Sequence, residues 1–311
     1  MRWSLSSSKT FRRCQRQWFF KMCLASPKAK DPVRRSAYLL GKLQSLAAWR
    51  GSLIDSVIAR EVVPALQWGR AISTNAILAE ARRLFDLQLV TARAHPLRQP
   101  DRTVASFGDS YAALHCVEYS DGPRDEELET TWGEIAAALT NLLGMTQLLD
   151  HLRQSSRLIA GRSLQFSCCG MTVQAVPDLI AFFPGRPPLL IDWKAHVTGT
   201  GDAWLQLAIY AIALTQCEPH KDFPSSPADW SPEALELLEV QLLLNRTRRH
   251  VLDEADVIDA DAYIADSATS MLMALDGKKG SETRQDDFPT ATFDGACNWC
   301  PFRKICWETV P

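Results

Sequence analysis

The stretch that decides the fold is "VPDLIAFFPGRPPLLIDWKA", from Val176 to Ala195. Two apolar runs, each with an aspartate at one end, flank the turn-forming segment "PGRPP". Apolar runs rich in β-branched and aromatic residues and separated by Gly and Pro are typical of strands joined by a turn. The pattern therefore predicts two strands folded back on each other, with Asp178 beside Asp192.

The regions around this stretch indicate an α/β protein. We expect three strands between residues 163 and 195, with turns at Gly170 and at Pro184–Pro188. Hydrophobic periodicity predicts helices over residues 36–66, 73–93, 127–158, 202–216 and 260–275, and a further strand over 235–245. Ser73 or Thr74 is the expected N-cap of the second helix. This order implies an α/β core preceded by a helical region.

The end of the quoted stretch carries the candidate chemistry. Alternate residues of a strand share a face, so Asp192 and Lys194 point one way and Trp193 points the other. Two carboxylates on one rigid sheet suit Mg²⁺ or Mn²⁺. A lysine beside them can position water or neutralise charge that develops on a phosphate. Together these groups provide the parts for metal-dependent phosphodiester hydrolysis.

Each of these signals also has a plainer interpretation. An Asp-x-Lys triplet is common, and a second copy, Asp276 to Lys278, is predicted to be a helix C-terminus and loop. Asp192 and Lys194 could be an edge-strand ion pair. Gln206 and Tyr210 lie four positions apart and so share a helix face, where they could meet a nucleic-acid backbone. The alternative is an amphipathic helix that packs on the sheet.

Charge points to a local anion-binding patch. The 311 residues carry a net charge of −2, which excludes a globally basic nucleic-acid binder. The N-terminal segment interleaves basic residues with Phe11, Trp18 and Phe19, a pattern of nucleic-acid contact. The candidate DNA-binding residues there are Lys9, Arg12, Arg13 and Arg16. The alternative is a solvated helix face.

Cysteine usage favours a reducing compartment. Nine cysteines, an odd number in a large chain, argue against a secreted disulfide scaffold. The N-terminus lacks the pattern of a secretory signal, and no apolar stretch reaches the length of a transmembrane helix. We therefore expect a cytoplasmic protein with no membrane partner.

The tail "CNWCPFRKIC", Cys297 to Cys306, predicts a thiolate metal centre. Its cysteines form a Cys-x2-Cys-x5-Cys array with Cys300 between them. Such centres usually have four ligands, so a distant fourth cysteine is required. Spacing alone does not separate zinc from an iron–sulfur cluster. Cys14 and Cys23 are the candidates for the fourth ligand.

Taken together, these motifs resemble a known family. "VPD" (176–178), "DWK" (192–194) and "QLAIY" (206–210) resemble the Pro-Asp, (Asp/Glu)-x-Lys and Gln-x-x-x-Tyr motifs of the RecB-like branch of the PD-(D/E)XK nuclease superfamily. The stretches 4–20 and 288–307 resemble its N-terminal Ser-x-Ser…Cys and C-terminal iron–sulfur motifs. Similar chains include the CRISPR-associated adaptation exonucleases and the nuclease domain of AddB. The five motifs occur in the expected order.

The resemblance implies a fold and a domain plan. The fold would be α/β, with a restriction-endonuclease-like core, a central mixed sheet flanked by helices. A helical region would precede this core and an iron–sulfur-stapled tail would follow it. The plan would be one integrated domain with an N-terminal segment (1–35), a helical region (36–159), the nuclease core (160–280) and the C-terminal motif (281–311).

The resemblance also implies roles for single residues. Asp178 and Asp192 would ligate Mg²⁺ or Mn²⁺, joined by the backbone carbonyl of Trp193. Lys194 would position water or stabilise the transition state. Gln206 and Tyr210 would support the site and the DNA strand.

One position departs from the pattern. Many relatives carry a histidine at the end of a Gly-x-x-x-His motif, whereas this chain has Gly51 and Asp55. A carboxylate also ligates hard cations. Asp55 is therefore either a metal ligand or a surface helix residue.

For the tail, the resemblance implies a [4Fe–4S] cluster held by Cys14, Cys297, Cys300 and Cys306, with Zn²⁺ as the less favoured occupant. Cys14 stands at the matching position after the Ser-rich segment, which sets it above Cys23.

The implied function is a metal-dependent DNA nuclease that acts on single strands or ends, in DNA processing, repair or mobile-element defence. One alternative is a non-catalytic DNA-binding or assembly subunit that retains the fold and cluster. Another is a zinc-stabilised protein of unrelated chemistry. The sequence has no Gly-x4-Gly-Lys-Ser/Thr phosphate loop, so a helicase partner would be a separate chain.

Overall fold

The computed structural model describes residues 1–95, 97, 99, 102–196, 203–293 and 295–307. Its described residues fall into two compact units. The first unit contains Met1–Ser4, Arg50–Arg83 and Glu126–Asp266. The second contains the described residues of Leu5–Trp49, Leu84–Asp125 and Ser267–Pro311.

The α-helices of the described residues are α1 (Leu5–Arg13), α2 (Gln15–Phe19), α3 (Pro32–Leu40), α4 (Leu46–Val57), α5 (Val63–Gln67), α6 (Thr74–Arg93), α7 (His115–Tyr119), α8 (Asp125–Gly144), α9 (Thr146–Arg153), α10 (Ala203–Gln216), α11 (Glu254–Leu275) and α12 (Arg303–Trp307). One-turn π-helices follow α2, over Phe20–Leu24, and α4, over Ile58–Val62.

The strands are β1 (Arg2–Trp3), β2 (Arg157–Ala160), β3 (Leu164–Cys168), β4 (Met171–Ala175), β5 (Leu179–Phe183), β6 (Arg186–Lys194), β7 (Glu236–Gln241) and β8 (Arg246–His250). All of them belong to the first unit.

Two mixed sheets form from these strands. The larger sheet has the order β2-β5-β6-β7-β8, and the smaller one has the order β1-β4-β3. Within the larger sheet β6 and β7 run parallel, while the other neighbouring strands are antiparallel. The parallel pair is connected through α10, as a parallel connection requires a crossover. The first unit is therefore an α/β structure, in agreement with the sequence prediction.

The region over 163–195 contains four strands rather than the three predicted from sequence. The expected turns are present, since Gly170 and Gly185 both have positive φ, 77° and 66°. The middle strand, however, is divided between Ala175 and Leu179 into β4 and β5, which enter different sheets. The division contains Pro177, which has no N–H to donate to a ladder and ends a paired strand.

Two predicted helices were too long. The helix expected over 36–66 is interrupted after α3 by Gly41, and Gln44 then forms an isolated bridge with Leu114. The helix expected over 127–158 ends at Gly144, resumes as α9 and gives way to β2. The pairing of β2 with β5 runs from Arg157 opposite Phe182 to Ala160 opposite Leu179, a non-local contact that helical periodicity cannot reveal.

Other elements agree more closely. The helix predicted over 73–93 is α6, and Ser73 Oγ accepts a hydrogen bond from the Ala76 N–H at 3.4 Å, as an N-cap does. Asp276 and Gly277 adopt left-handed conformations directly after α11, which confirms the predicted helix end. The strand over 235–245 is shorter than predicted, because Leu242–Leu244 form a 3₁₀ turn before β8.

Candidate active site

The hairpin of β5 and β6 brings Asp178 to Asp192. The two strands are antiparallel, with Leu179 opposite Ile191, so the residue before β5 lies next to Asp192. The Asp178 carboxylate accepts a hydrogen bond from the Trp193 backbone N–H at 2.7 Å. This bond ties the loop before β5 to the end of β6, where the sequence predicted the two aspartates to meet.

Lys194 links this carboxylate pair to α10. Its ammonium forms an ion pair with Asp192 Oδ2. It also donates a hydrogen bond to Gln206 Oε1 at 2.8 Å. Gln206 Nε2 in turn donates to the Tyr210 hydroxyl at 2.6 Å. Residues i and i+4 share one helix face, so α10 presents both polar groups toward the lysine.

Burial determines the ionisation of the carboxylates. Asp192 is 1% exposed and Asp178 is half-buried. Burial raises the pKa of Asp178 well above its usual range, and the charges of Asp192 and Asp55 raise it further. Burial also raises the pKa of Asp192, although Lys194 acts against this shift. Closely spaced carboxylates in a poorly solvated site repel one another, which disfavours their charged forms.

Asp55 lies within electrostatic reach of this group. Burial, followed by the charge of Asp192, raises the pKa of the Asp55 carboxyl to about 7. Its residue surface is nevertheless exposed to solvent. Asp55 is thus exposed on α4 and still close enough to the pair for its charge to raise the pKa of Asp178.

The donor set suits a hard divalent cation. The charge of Asp192 raises the pKa of both Asp55 and Asp178, and a cation that prefers oxygen ligands would relieve this repulsion. Among the described residues, however, no group of three or more His, Cys, Asp or Glu side chains converges closely enough to hold a metal. Asp178 and Asp192 are instead engaged by Trp193 and Lys194. The residue types fit the ion, although the described side chains do not form a complete coordination site.

A buried glutamate beside the site escaped the sequence interpretation. Glu239 lies in register with Asp192 on β7 and is 0% exposed. Its carboxylate accepts a hydrogen bond from Gln241 Nε2 at 2.9 Å and lies 3.1 Å from His250 Nε2. The available signal was a carboxylate within the otherwise apolar run "LLEVQLLL", because a charged residue there must be paired.

The four cysteines predicted to hold a cluster line one small cavity of the second unit. The cavity has a volume of about 20 Å³, and Cys14, Cys297, Cys300 and Cys306 all face it. Burial raises the pKa of the Cys300 thiol to about 11, and the other three thiols add to the shift. They are free thiols, and they too are not drawn together into a metal-holding group among the described residues.

Cys23 occupies different surroundings. It is buried, and this burial raises the pKa of its thiol to about 11. A Cβ placed on Gly280 would come within 3.3 Å of the Cys23 Cα, so this cysteine packs against the segment that follows α11. Cys23 is not among the residues that line the four-cysteine cavity.

The basic residues of the N-terminal segment separate into two groups. Lys9, Arg12 and Arg13 are exposed on α1. Arg16 is half-buried, and its Nε donates a hydrogen bond to the Phe288 carbonyl at 2.9 Å. Its charge also lowers the pKa of the Cys306 thiol, against the larger effect of burial. The structure thus directs Arg16 toward the cysteine tail, whereas Arg13 donates a hydrogen bond to Gln17 Oε1 at 2.8 Å.

A comparison with protein-family models matches the chain to the PD-(D/E)XK nuclease superfamily over residues 2–307. The chain belongs to the PD-(D/E)XK nuclease superfamily. Members are generally metal-dependent nucleases that use Mg²⁺ or Mn²⁺, and the α/β first unit with its mixed sheets is consistent with a restriction-endonuclease-like fold. The sequence predicted that the letters of the superfamily's name correspond to Pro177-Asp178 and Asp192-Trp193-Lys194.

Other comparisons of this PD-(D/E)XK chain add little. No curated protein matches it. The crystal structure of SSO0001 is similar at 16% identity over 60% of this chain and 79% of that one, with a TM-score of 0.29. No helix among the described residues is long and apolar enough to span a membrane.

Proposed function

We propose that this chain is a DNA nuclease of the RecB-like branch, acting on single strands or ends. The observation that carries the proposal is the connected set Asp192, Lys194, Gln206 and Tyr210, with Asp178 beside it. An isolated edge-strand ion pair would be exposed and would not continue into a helix. Here the ion pair is buried, and its lysine is fixed by a second element.

The proposed roles follow from these contacts. Asp178, Asp192, the Trp193 carbonyl and Asp55 would hold Mg²⁺ or Mn²⁺, which when bound supplies an activated water and stabilises phosphate charge. Lys194 would neutralise negative charge that develops on the scissile phosphate. Because Gln206 and Tyr210 hold the ammonium in one orientation, little reorganisation is needed when that charge appears.

We also propose a [4Fe–4S] cluster at the four-cysteine cavity, in preference to Zn²⁺. Support comes from the shared cavity of Cys14 with the three tail cysteines and from the motif order of the RecB-like branch. All nine cysteines are free, which suits a reducing cytoplasm. DNA processing, repair or mobile-element defence, with a separate helicase, remains the proposed setting.

The mechanism is tested by Lys194→Ala in protein purified without oxygen. We expect this variant to cleave labelled single-stranded DNA about 100-fold or more slowly than wild type in Mg²⁺ or Mn²⁺, because a charge that stabilises the transition state is lost. Lys278→Ala is the matched control. Lys278 follows α11, belongs to the second Asp-x-Lys triplet and forms an ion pair with Asp287. The control should cleave at the wild-type rate.

Equal cleavage by wild type and Lys194→Ala would refute the proposed mechanism. DNA binding by the wild-type protein without cleavage in any divalent metal would favour the alternative of a non-catalytic binding subunit.

A further inference from the structure

The last strand of the larger sheet is strongly basic. Strand β8, "RTRRH", forms the edge next to β7. Arg246, Arg248 and Arg249 are all exposed. Exposed charges on an edge strand often serve only to prevent pairing with other chains. The register of β8 indicates a more specific use for two of the three arginines.

The register aligns Arg246 and Arg248 with the candidate site. Lys194 pairs with Gln241, which pairs with Arg246. Asp192 pairs with Glu239, which pairs with Arg248. Residues in register on neighbouring strands project from the same face of a sheet. Neighbouring strands lie about 4.8 Å apart, so the two arginines begin about 10 Å from the candidate site on its own face.

Side-chain contacts support this division of faces. Gln241 and His250 both reach Glu239, so these three residues share the face of Asp192. Arg249 instead lies near Glu236, at 3.8 Å, and Arg186 donates a hydrogen bond to the same glutamate at 2.8 Å. Arg249 and Arg186 therefore belong to the opposite face.

The charges of Arg246 and Arg248 are available to a ligand. Neither guanidinium has an ion pair or a side-chain hydrogen bond with another described residue, whereas Arg249 and Arg186 share Glu236. Glu239, the nearest carboxylate in register, is fully buried and already contacts Gln241 and His250. A fork of guanidinium donors that faces solvent suits phosphate oxygens.

We propose that Arg246 and Arg248 bind the phosphate backbone of the DNA strand that the candidate site cuts. This inference rests on the proposed nuclease function and adds a substrate-binding surface to it. The two arginines stand about 7 Å apart along β8 and contact phosphate rather than bases, so they position the strand without reading its sequence.

The test is the salt dependence of DNA binding. Fluorescence anisotropy would follow a labelled single-stranded oligonucleotide in EDTA, where no cleavage occurs. Each phosphate contact contributes about 0.7 to the slope of log K against log salt for single strands. The double variant Arg246→Gln with Arg248→Gln should lower the steepness of that slope by about 1.4 and weaken binding. Arg246→Lys with Arg248→Lys should restore most of it.

Arg186→Gln with Arg249→Gln is the matched control, because it removes the same net charge from the opposite face. It should keep the wild-type slope. Equal losses of DNA affinity and of slope in both double variants would show that only net charge matters and would overturn the proposal. Unchanged DNA binding by Arg246→Gln with Arg248→Gln would also overturn it. If that variant aggregates but keeps its DNA affinity, the two arginines serve only to prevent pairing of the edge strand with other chains, and the proposal is likewise overturned.

Cleavage assays on the same preparations separate this inference from the proposed function. If the variant Arg246→Gln with Arg248→Gln cleaves DNA at the wild-type rate and keeps the wild-type salt dependence of binding, only the arginine surface is refuted. Salt-dependent binding that requires Arg246 and Arg248, with no cleavage in any divalent metal, refutes the nuclease activity alone. Failure of wild type to bind the oligonucleotide refutes the surface.

Discussion

Asp192 and Glu239 are adjacent carboxylates that are 1% and 0% exposed. Each has a partner that offsets the cost of burial, Lys194 for Asp192 and the pair of Gln241 and His250 for Glu239. Buried charges persist only where such partners satisfy them. At the scale of single residues, the candidate site is therefore a buried polar network in which the lysine is held from two sides.

Asp55 is the residue whose identity departs most from the RecB-like pattern. The charges of Asp192 and Lys194 act on its carboxyl, so it is more than an isolated surface residue. Its exposure to solvent leaves room for a water molecule between its carboxylate and a cation. We propose that it serves as a ligand through such a water.

A half-buried histidine away from the candidate site gives a prediction about pH. His151 stacks on Phe183, with ring centroids 4.6 Å apart, and its Nε2 is buried without a hydrogen-bond partner. Burial lowers the pKa of His151, and the positive charges of Arg186 and Arg249 lower it further against the opposite effect of Glu236. In the unfolded chain its pKa returns to about 6.5.

The unfolded chain therefore binds the proton more tightly, and the stability due to neutral His151 is lost as pH falls below about 6.5. We expect the melting temperature of wild type to fall more between pH 7.5 and pH 5 than that of His151→Phe, which keeps the ring stacking. Differential scanning calorimetry at both pH values measures this difference. The same fall in both proteins would contradict the prediction.

At the scale of elements, helix α10 supports the candidate site because it is fixed on every side. Its residues Leu207–Leu214 are all buried, whereas an ordinary surface helix buries one stripe. The sequence predicted an apolar face, and the structure extends burial around the whole helix. A helix enclosed in this way holds Gln206 and Tyr210 in a set position relative to Lys194.

Small residues allow this close packing, and Ala211 is 0% exposed. We expect Ala211→Leu to destabilise the protein by about 1–3 kcal/mol, because extra methylene groups in a filled interior force neighbours to shift. Gln216→Leu, at the exposed end of the same helix, should change stability by no more than about 0.5 kcal/mol.

Thermal unfolding followed by circular dichroism compares these two variants with wild type. Equal melting temperatures for Ala211→Leu and Gln216→Leu would show that the packing around α10 accommodates a larger side chain, contrary to the prediction.

At the scale of the whole molecule, the family match extends over residues 2–307, and the proposed cluster joins distant parts of that length. A link between Cys14 and Cys297 would close a very long loop. By analogy with disulfides, restricting the unfolded chain in this way contributes on the order of 5 kcal/mol. The proposed role of the cluster is therefore structural.

Cys14→Ala is expected to lose the brown colour, the bound iron and the solubility of protein purified without oxygen. Cys23→Ala is the matched control and should keep all three, because Cys23 packs against Gly280 outside the four-cysteine cavity. Absorption spectra and metal analysis check both variants. A colourless wild-type protein with one equivalent of zinc would replace the iron–sulfur proposal with a zinc site.

Local patterns in the sequence determined much of this protein. The two-residue period of strands indicated that Asp192 and Lys194 share a face, and the helical period grouped Gln206 with Tyr210. The turn between β5 and β6 was predictable from "PGRPP", and with it the meeting of Asp178 and Asp192. Each of these relations spans few residues, so backbone geometry alone fixes it.

Tertiary structure decided what depends on pairing between distant segments. The parallel register of β6 and β7 brings Glu239 beside Asp192, and the pairing of β7 with β8 adds Arg248 to the same row. The position of α10 converts Gln206 into a partner of Lys194. A strand carries no local mark of its neighbour or its register, because these follow from packing the whole sheet. The sequence therefore revealed the candidate site residues, and long-range packing determined which of them meet.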